Sequence, residues 1–408
     1  METNNKLFIG IDLNNMRAMV SLYFEGMEEP ETVSTIPGEE HFRIPTAIFC
    51  SDNGKYFYGD EAVKRRNDPD GTYFSDLYEE ALIEDNVVYR NMLVQFLRRL
   101  IRFSERYDEY ELEPFLAVTV PDLSEDVVEL FEIIREELGY SIENFQLMDY
   151  SESFFAYVYQ QDASVYTHDV VMFDYDKGII SFLLLHADTL GEIKRVTAAK
   201  DTWDFPGYLE GEKAAMDEFF SNIILEAFEK NIISGVYFVG DGFDGGWMNA
   251  SLRVIGPNKR VFKGKNLYTV GACYAGYRSL VPDTWTHYFD CPYKLQGEIS
   301  LQVLENGEST FLRLVQLGAN WFSPTKKYFF LYDGNQTMEV WIRVRQRIDA
   351  RMEAFSLEFM PERAPRSIRL CIQAFPINGR EVVLKVIDDG FGELYESSGK
   401  VWEFPILL

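Results

Sequence analysis

The first part of the chain alternates apolar runs with polar turns and amphipathic segments. Residues 6–24 are typical of two apolar strands joined by a polar turn at Asn14 and Asn15. Residues 44–59 predict a hairpin with its turn at 52–54. Apolar side chains at steps of three and four then predict a long helix over about 84–106. This pattern indicates a mixed α/β start to the chain.

A buried strand and a capped helix follow. Residues 116–121 are apolar and predict a strand. Ser124 is the expected N-cap of the next helix, and Gly139 is expected to end it. A further strand is predicted over 145–149, followed by a helix from Ser151.

The opening pattern then recurs. Residues 169–186 repeat the order of apolar strand, aspartate, polar turn and apolar strand, so that Asp174 takes the place that Asp12 has in the first unit. A helix over about 212–230 precedes another strand and the glycine-rich stretch 240–246. Strands that alternate with helices in two similar halves predict a duplicated α/β domain over residues 1–280.

The pattern changes after about residue 280. Residues 281–292 carry two prolines and no clear period, which predicts a linker. From residue 293 to 408, short runs alternate apolar and polar side chains between local turns. This period of two predicts an antiparallel β-sandwich.

Composition and charge limit the functions that fit. The 408 residues carry a net charge of −27, which disfavours binding to nucleic acids and to anionic membranes. The four cysteines are scattered, which is typical of reduced thiols and not of a zinc site or a disulfide framework. No stretch is typical of a signal peptide or a membrane span. We therefore expect a cytoplasmic protein.

The duplicated strand–aspartate–turn units suggest chemistry. Two such units can hold the phosphates of a nucleotide from both sides, because tight turns point backbone N–H groups inward. Asp12 and Asp174 would then order the water ligands of a divalent ion. A single unit is weak evidence, because an aspartate often ends a strand, but the pair with a later glycine-rich turn is more specific.

These segments resemble the DnaK-type seventy-kilodalton heat-shock chaperones, which belong to the actin-like ATPase superfamily. The resemblance runs in unbroken order over nearly the whole chain. It is carried by GIDL (10–13), IPTAIF (44–49), YGDEAVKR (58–65), AVTVPDLSEDVVELFEIIREELGY (117–140), FDYDKG (173–178), VYFVGDGFDGG (236–246), VGACYAG (270–276), FSPTKKYFFLYDGNQTMEVWIRV (322–344) and MPERAPRS (360–367).

The resemblance implies an actin-like nucleotide-binding domain followed by a peptide-binding β-sandwich. It also implies roles for particular residues. Asp12, Asp149 and Asp174 take catalytic positions, and Asp12 and Asp174 are the metal-facing pair. The implied nucleotide contacts are Asn14, Asn15, Met16, Lys177 and Gly178 at the two phosphate loops, and Gly240 and Gly242 at the adenosine loop.

Departures from the family pattern predict a weak or absent ATP–Mg²⁺ site. Asn14, Asn15 and Met16 replace a Gly-Thr-Thr run, and Asp176 places a negative charge where phosphates should lie. No clear counterpart of the catalytic lysine follows Arg66. The lobe that closes over adenosine looks reduced, and we expect a member without the family's helical lid.

Three functions remain open at this point. The first is a chaperone-like protein that binds an extended polypeptide segment and has a degenerate nucleotide site. The second is an active ATP-hydrolysing chaperone with phosphate loops rebuilt around Asn15 and Lys177. The third is an actin-like structural or interaction protein.

Overall fold

The computed structural model describes residues 3, 5–176, 178–190, 193–206, 212–281, 286–322, 325–332, 336–344, 350–361, 363 and 367–408. The chain forms two compact units. The first comprises Met1–Ala187 and Val196–Trp285, and the second comprises Asp188–Arg195 and Thr286–Leu408.

The first half of the first unit is built around a mixed sheet. Its strand order is β3-β2-β1-β8-β9, with β4 paired to β2, and a separate small sheet has the order β6-β5-β7. The strands are β1 (Lys6–Leu13), β2 (Arg17–Tyr23), β3 (Glu31–Thr32), β4 (Ile44–Pro45), β5 (Ile48–Ser51), β6 (Tyr56–Tyr58), β7 (Gly71–Phe74), β8 (Glu113–Val120) and β9 (Phe145–Asp149). The helices are α1 (Asp60–Lys64), α2 (Leu77–Leu82), α3 (Val87–Ile101), α4 (Glu125–Leu138) and α5 (Tyr150–Val158).

The second half has a sheet of the same kind, in the order β14-β13-β10-β11-β12. Its strands are β10 (Asp169–Asp176), β11 (Ile179–Leu190), β12 (Ile193–Asp204), β13 (Ile233–Val239) and β14 (Arg260–Gly264). Its helices are α6 (Lys213–Phe228), α7 (Asn249–Ile255) and α8 (Leu267–Leu280).

The two halves share one plan. In each, the first strand pairs antiparallel with the second strand and parallel with a later one, as β1 does with β2 and β8, and β10 with β11 and β13. Asp12 lies opposite Met19 and Thr119, and Asp174 lies opposite Ser181 and Val239. The two aspartates therefore hold equivalent positions, as the repeated sequence pattern predicts.

Helix α8 ends the second half but packs on the first. A Cβ added to Gly10 of β1 would lie 2.3 Å from the carbonyl oxygen of Thr269, so that glycine allows the helix to approach the sheet. The hydroxyl of Thr269 donates to the Gly10 carbonyl at 2.8 Å. This close contact places the start of α8 beside the first strand of the domain.

The second unit is dominated by two antiparallel sheets, in the orders β17-β16-β19-β20 and β18-β21-β22-β23. Buried apolar residues of both sheets form a single core that includes Ile299, Ile342, Leu370 and Leu384. The strands are β15 (His287–Asp290), β16 (Gly297–Glu305), β17 (Glu308–Val315), β18 (Lys327–Tyr332), β19 (Thr337–Val344), β20 (Arg351–Ser356), β21 (Ile368–Pro376), β22 (Glu381–Asp388) and β23 (Val401–Leu407).

The predicted linker, residues 281–292, contains the strand β15, which pairs with β12. The N–H of Lys194 donates to the Thr286 carbonyl at 3.0 Å. In the part of the chain that the structure describes, no helix is long and apolar enough to cross a membrane.

Candidate functional site

The turn between β1 and β2 is closed by its own side chains. The Oδ1 atom of Asn14 accepts from the N–H groups of Met16 and Arg17 at 2.9 and 3.0 Å. Asn15 donates to Asp76 Oδ1 at 2.9 Å and accepts from the Glu79 N–H at 3.2 Å. Asparagine makes such local bonds readily. The residues predicted to contact phosphate at this turn are thus engaged with the protein itself.

Asp12 is fully buried at the end of β1 and contacts a tyrosine. The hydroxyl of Tyr150, the first residue of α5, donates to Asp12 Oδ1 at 2.6 Å and accepts from the Asn14 amide at 3.1 Å. Burial raises the pKa of Asp12 to about 6, although the nearby Arg17 guanidinium opposes the shift. Asp12 is therefore only partly ionised near pH 6.

Asp174 has a matching tyrosine partner. The hydroxyl of Tyr268, at the start of α8, donates to Asp174 Oδ2 at 3.2 Å. Burial raises the pKa of Asp174, and Arg17 again opposes the shift. The rings of Tyr150 and Tyr268 stack with their centroids 3.8 Å apart and their planes 12° from parallel. The tyrosine pair joins the two aspartates across the two halves of the domain.

Arg17 is the positive charge at this site. It is 8% exposed and forms an ion pair with Asp176, which ends β10. Burial alone would lower the pKa of Arg17, but the carboxylates of Asp12, Asp176 and Asp174 outweigh it and raise the pKa. The carboxylate of Asp176, predicted to repel phosphate, is neutralised by a side chain from the opposite half.

The metal site predicted at Asp12 and Asp174 stays a prediction, and both aspartates lie near the Arg17 guanidinium. Among the described residues, Asp12 Oδ2 and Asp174 Oδ1 are buried without a hydrogen-bond partner, and two such oxygens could face a cation. Arg17 places a positive charge near both carboxylates. No group of three His, Cys, Asp or Glu side chains suited to a metal occurs in the described part of the chain. The two carboxylates also contribute negative charge that stabilises the charged form of Arg17.

Asp149, the third predicted catalytic carboxylate, has structural partners. Its Oδ1 accepts from the Glu152 N–H at 2.9 Å and caps α5. Its Oδ2 accepts from Lys200 Nζ at 3.0 Å, and the same ammonium donates to Asp122 at 2.5 Å. Lys200 lies on β12, so these bonds connect the two halves. The contacts give Asp149 a role in holding the domain together.

Aromatic side chains pack on the segments predicted to be the second phosphate loop and the adenosine loop. Gly178 has a φ of 79°, and its carbonyl accepts from the Phe205 N–H at 2.6 Å, while Lys177 lies outside the described residues. A Cβ on Gly242 would lie 2.2 Å from the Tyr175 ring, and a Cβ on Gly240 would lie 2.3 Å from the Tyr175 carbonyl. These two glycines therefore make room for Tyr175.

The cluster extends from Tyr175 into the second half. Its ring stacks on Phe205 at 4.9 Å and meets Phe243 edge-on at 5.6 Å. The Trp247 indole donates to the Gly242 carbonyl at 2.9 Å. Aromatic side chains thus pack on the loop that was predicted to contact adenosine.

Sequence reasoning missed four residues that lie around Asp12 and Asp174: Arg17, Tyr150, Tyr268 and Arg43. Arg43 forms an ion pair with Asp241 and also lies near Asp12 and Asp174. Arg17 could have been noticed, since it directly follows the predicted phosphate loop. The tyrosines give no such signal, because their partners are distant in the sequence.

Two family descriptions match the chain. Residues 29–291 match the family described as "Family of unknown function (DUF5716) C-terminal", and the chain belongs to this family. Residues 294–408 match "Domain of unknown function (DUF8552)". No curated protein matches the chain. Among solved structures, the chain is similar to a non-polymerising mutant of MamK bound to AMPPNP, with 14% identity and a TM-score of 0.42. That match covers 68% of this chain and 99% of the other.

Proposed function

We propose that the first unit is an actin-like domain that works without nucleotide, as a structural or interaction module. The duplicated sheets and the equivalent Asp12 and Asp174 support the actin-like architecture. The observation that carries the proposal is Arg17, which pairs with Asp176 and lies near both aspartates. The internal guanidinium thus supplies positive charge to carboxylates that a metal would otherwise have to balance.

The contacts made by the Asn14–Asn15 turn and by the loop 240–246 argue against the ATPase alternative. The Asn15 side chain, on which a rebuilt phosphate loop would depend, is bonded to Asp76 and Glu79. Tyr175 packs on Gly242, where adenosine was expected. The described residues offer no specific support for the polypeptide-binding chaperone that the family resemblance implies. The interaction module therefore remains as the preferred function.

A titration with ATP tests this proposal. We expect isothermal calorimetry with Mg²⁺ to detect at most millimolar affinity for ATP or ADP, and we expect no turnover above background. Micromolar affinity with Mg²⁺-dependent hydrolysis would overturn the proposal.

A variant separates two features that would hinder nucleotide binding, the Arg17 guanidinium and the packing of Tyr175 on Gly242. Arg17→Met removes the internal guanidinium and leaves the aromatic cluster intact. If Arg17 alone excludes nucleotide, the variant should bind ATP more tightly than the wild type. We expect no gain, because Tyr175 still covers the adenosine loop. Arg102→Met, which removes an exposed ion pair with Glu105, is the matched control.

A further inference from the structure

Strand β18 lies at the edge of its sheet and is open along its outer side. The sheet order is β18-β21-β22-β23, and β18 pairs with β21. In an antiparallel pair only every second residue exchanges hydrogen bonds with the partner strand, so the backbone groups of the others point away. In the part of the chain that the structure describes, the backbone of Lys327–Tyr332 bonds to β21 alone. The outer edge of β18 can therefore accept a further strand.

The side chains of β18 divide into an inner and an outer face. Phe330 and Tyr332 are partly buried and pack on the core of the second unit. Phe329 and Leu331 point to the outer face, where they are 52% and 61% exposed. The Arg369 guanidinium lies 4.8 Å from the centroid of the Phe329 ring, and half of that ring still faces solvent. Two large apolar side chains thus stand beside an open strand edge.

The other edge strands of the two sheets carry residues that hinder strand addition. Charged side chains and prolines on an edge are means by which β-proteins prevent such pairing. As far as the structure describes the sheets, these other edges are β17, β20 and β23. All three contain such residues: Glu308 and Arg313 in β17, Arg351 and Glu353 in β20, and Glu403 and Pro405 in β23. Strand β18 has a single charge, on its first residue Lys327, and residues 328–332 contain no charge and no proline.

The sequence of β18 is complementary to itself in the antiparallel direction. Residues directly opposite each other in an antiparallel pair have their side chains on the same face. If two copies of β18 pair with Phe330 opposite Phe330, then Phe329 of each copy lies opposite Leu331 of the other. A register shifted by one residue would bring an exposed side chain opposite a partly buried one. A register centred on Phe329 would place Lys327 opposite Leu331, so the register centred on Phe330 pairs the apolar side chains best.

Charge also favours antiparallel pairing of two copies. In the sequence, Lys326 and Lys327 precede the apolar stretch and Asp333 follows it. Antiparallel pairing therefore brings the basic start of one strand to the acidic end of the other. The two copies of Lys327 would lie roughly 20 Å apart along the strands, beyond the Debye length of about 8 Å. Parallel pairing would place these lysines side by side, where like charges destabilise a strand pair.

We propose that two copies of this chain form a symmetric dimer by antiparallel pairing of their β18 strands. Backbone hydrogen bonds along the two edges hold the strands together, and the pairs of Phe329 with Leu331 fix the register. The contact is isologous, since both copies use the same edge, and assembly therefore ends at two copies. A contact over one short strand buries less surface than an obligate interface does, so the dimer is in exchange with the monomer. This dimer goes beyond the function proposed for the first unit and does not depend on whether that unit binds nucleotide.

The first test is analytical ultracentrifugation of the full chain over a range of concentrations. We expect the wild-type mass to rise from that of one copy to that of two, and to stop there. Leu331→Lys should move the midpoint of this rise to about tenfold higher concentration, because two cross-strand pairs are lost at once. Leu304→Lys is the matched control, since Leu304 is 78% exposed on β16 of the same unit. A wild type that stays monomeric up to its solubility limit, a mass above two copies, or equal shifts in both variants would overturn the proposal.

Two double variants test the register. In F329E/L331K, each glutamate lies opposite a lysine of the other copy, so this variant should dimerise. In F329E/L331E, carboxylates lie opposite each other, so this variant should stay monomeric at the same concentrations. Both variants change the same two exposed positions, and urea unfolding shows that each remains folded. If F329E/L331E dimerises as F329E/L331K does, or if F329E/L331K stays monomeric where the wild type dimerises, the proposed pairing is wrong.

Amide hydrogen exchange of the wild type locates the contact. The outward N–H groups of β18 become hydrogen-bonded only in the dimer, so their exchange should slow as the protein concentration is raised. Strand β23, at the opposite edge of the same sheet, is the internal control and should exchange at the same rate at all concentrations. Slower exchange in another part of the chain, with β18 unchanged, would show that the copies associate elsewhere and would overturn the proposal.

Discussion

Arg17 is the residue whose removal should cost the first unit most, because it compensates carboxylates from both halves. Arg17→Met leaves the fully buried Asp12 without a neighbouring cation and Asp176 without its ion-pair partner. Breaking a buried pair costs about 3–5 kcal/mol, and the one-third exposure of the Asp176 side chain places this case near the lower limit.

Urea unfolding measures this loss, with Arg102→Met as the control. Arg102 pairs with Glu105 in solvent, so its removal should change the free energy of unfolding little. Equal stability of the two variants would show that water, and not Arg17, compensates the buried carboxylates.

The protonation of Asp12 gives a pH signature. Its pKa is raised by burial from an ordinary value of 3.8 to about 6, so ionisation is harder in the folded state than in the unfolded state. The stability of the wild type relative to Asp12→Asn should therefore be highest below about pH 4. It should fall as the pH rises through about 6, by about 3 kcal/mol in total.

This difference is measured by urea unfolding of both proteins from pH 3.5 to 8. Asparagine keeps an oxygen that can accept from Tyr150, so the variant imitates the protonated carboxyl. A difference that is flat across this range would mean that Asp12 has an ordinary pKa in the folded protein.

At the scale of elements, the loop 240–246 packs closely against Tyr175. Because a Cβ on Gly242 would lie 2.2 Å from the Tyr175 ring, Gly242→Ala should destabilise the protein by about 1–3 kcal/mol, as overpacking does. Gly264→Ala is the control, since among the described residues nothing lies within 4 Å of its added Cβ. Thermal denaturation of both variants in the absence of nucleotide measures this difference in stability. If Gly242 served only to approach a nucleotide, the two variants would be equally stable.

Elements with strong local signals were predicted well. Helix α4 begins after Ser124, which accepts from the Val127 N–H, and ends at Gly139 with a φ of 81°. Both predictions are confirmed because caps depend on near neighbours. The strand β12 was missed, since the segment 193–204 mixes charged residues with short apolar ones and shows no clear alternation. Its conformation depends on pairing within the sheet more than on its own pattern.

Only part of the candidate site could be predicted from the sequence, because local patterns encode some of its positions and long-range packing sets the others. The repeated pattern gave the equivalent positions of Asp12 and Asp174, because each lies in a local strand–turn–strand unit. The contact of Arg17 with Asp176 joins residues 159 positions apart, and no local period encodes it. The stacking of Tyr150 on Tyr268 likewise depends on how α8 packs against the first half.

At the scale of the whole molecule, the second unit has a core of its own. The buried apolar residues shared by its two four-stranded sheets all lie between Leu295 and Leu408. The buried pair of Arg363 and Asp388 is also internal to this range. We therefore expect a fragment of residues 293–408 to fold alone and to unfold in a single cooperative urea transition.

A longer fragment is the control for this prediction. Residues 286–408 add β15, whose partner strand β12 belongs to an earlier part of the chain and is absent from both fragments. The two fragments should accordingly have the same transition midpoint. A cooperative transition would be accompanied by dispersed amide signals in NMR spectra. A broad transition with collapsed signals in both fragments would mean that the sheets need the rest of the chain to complete their core.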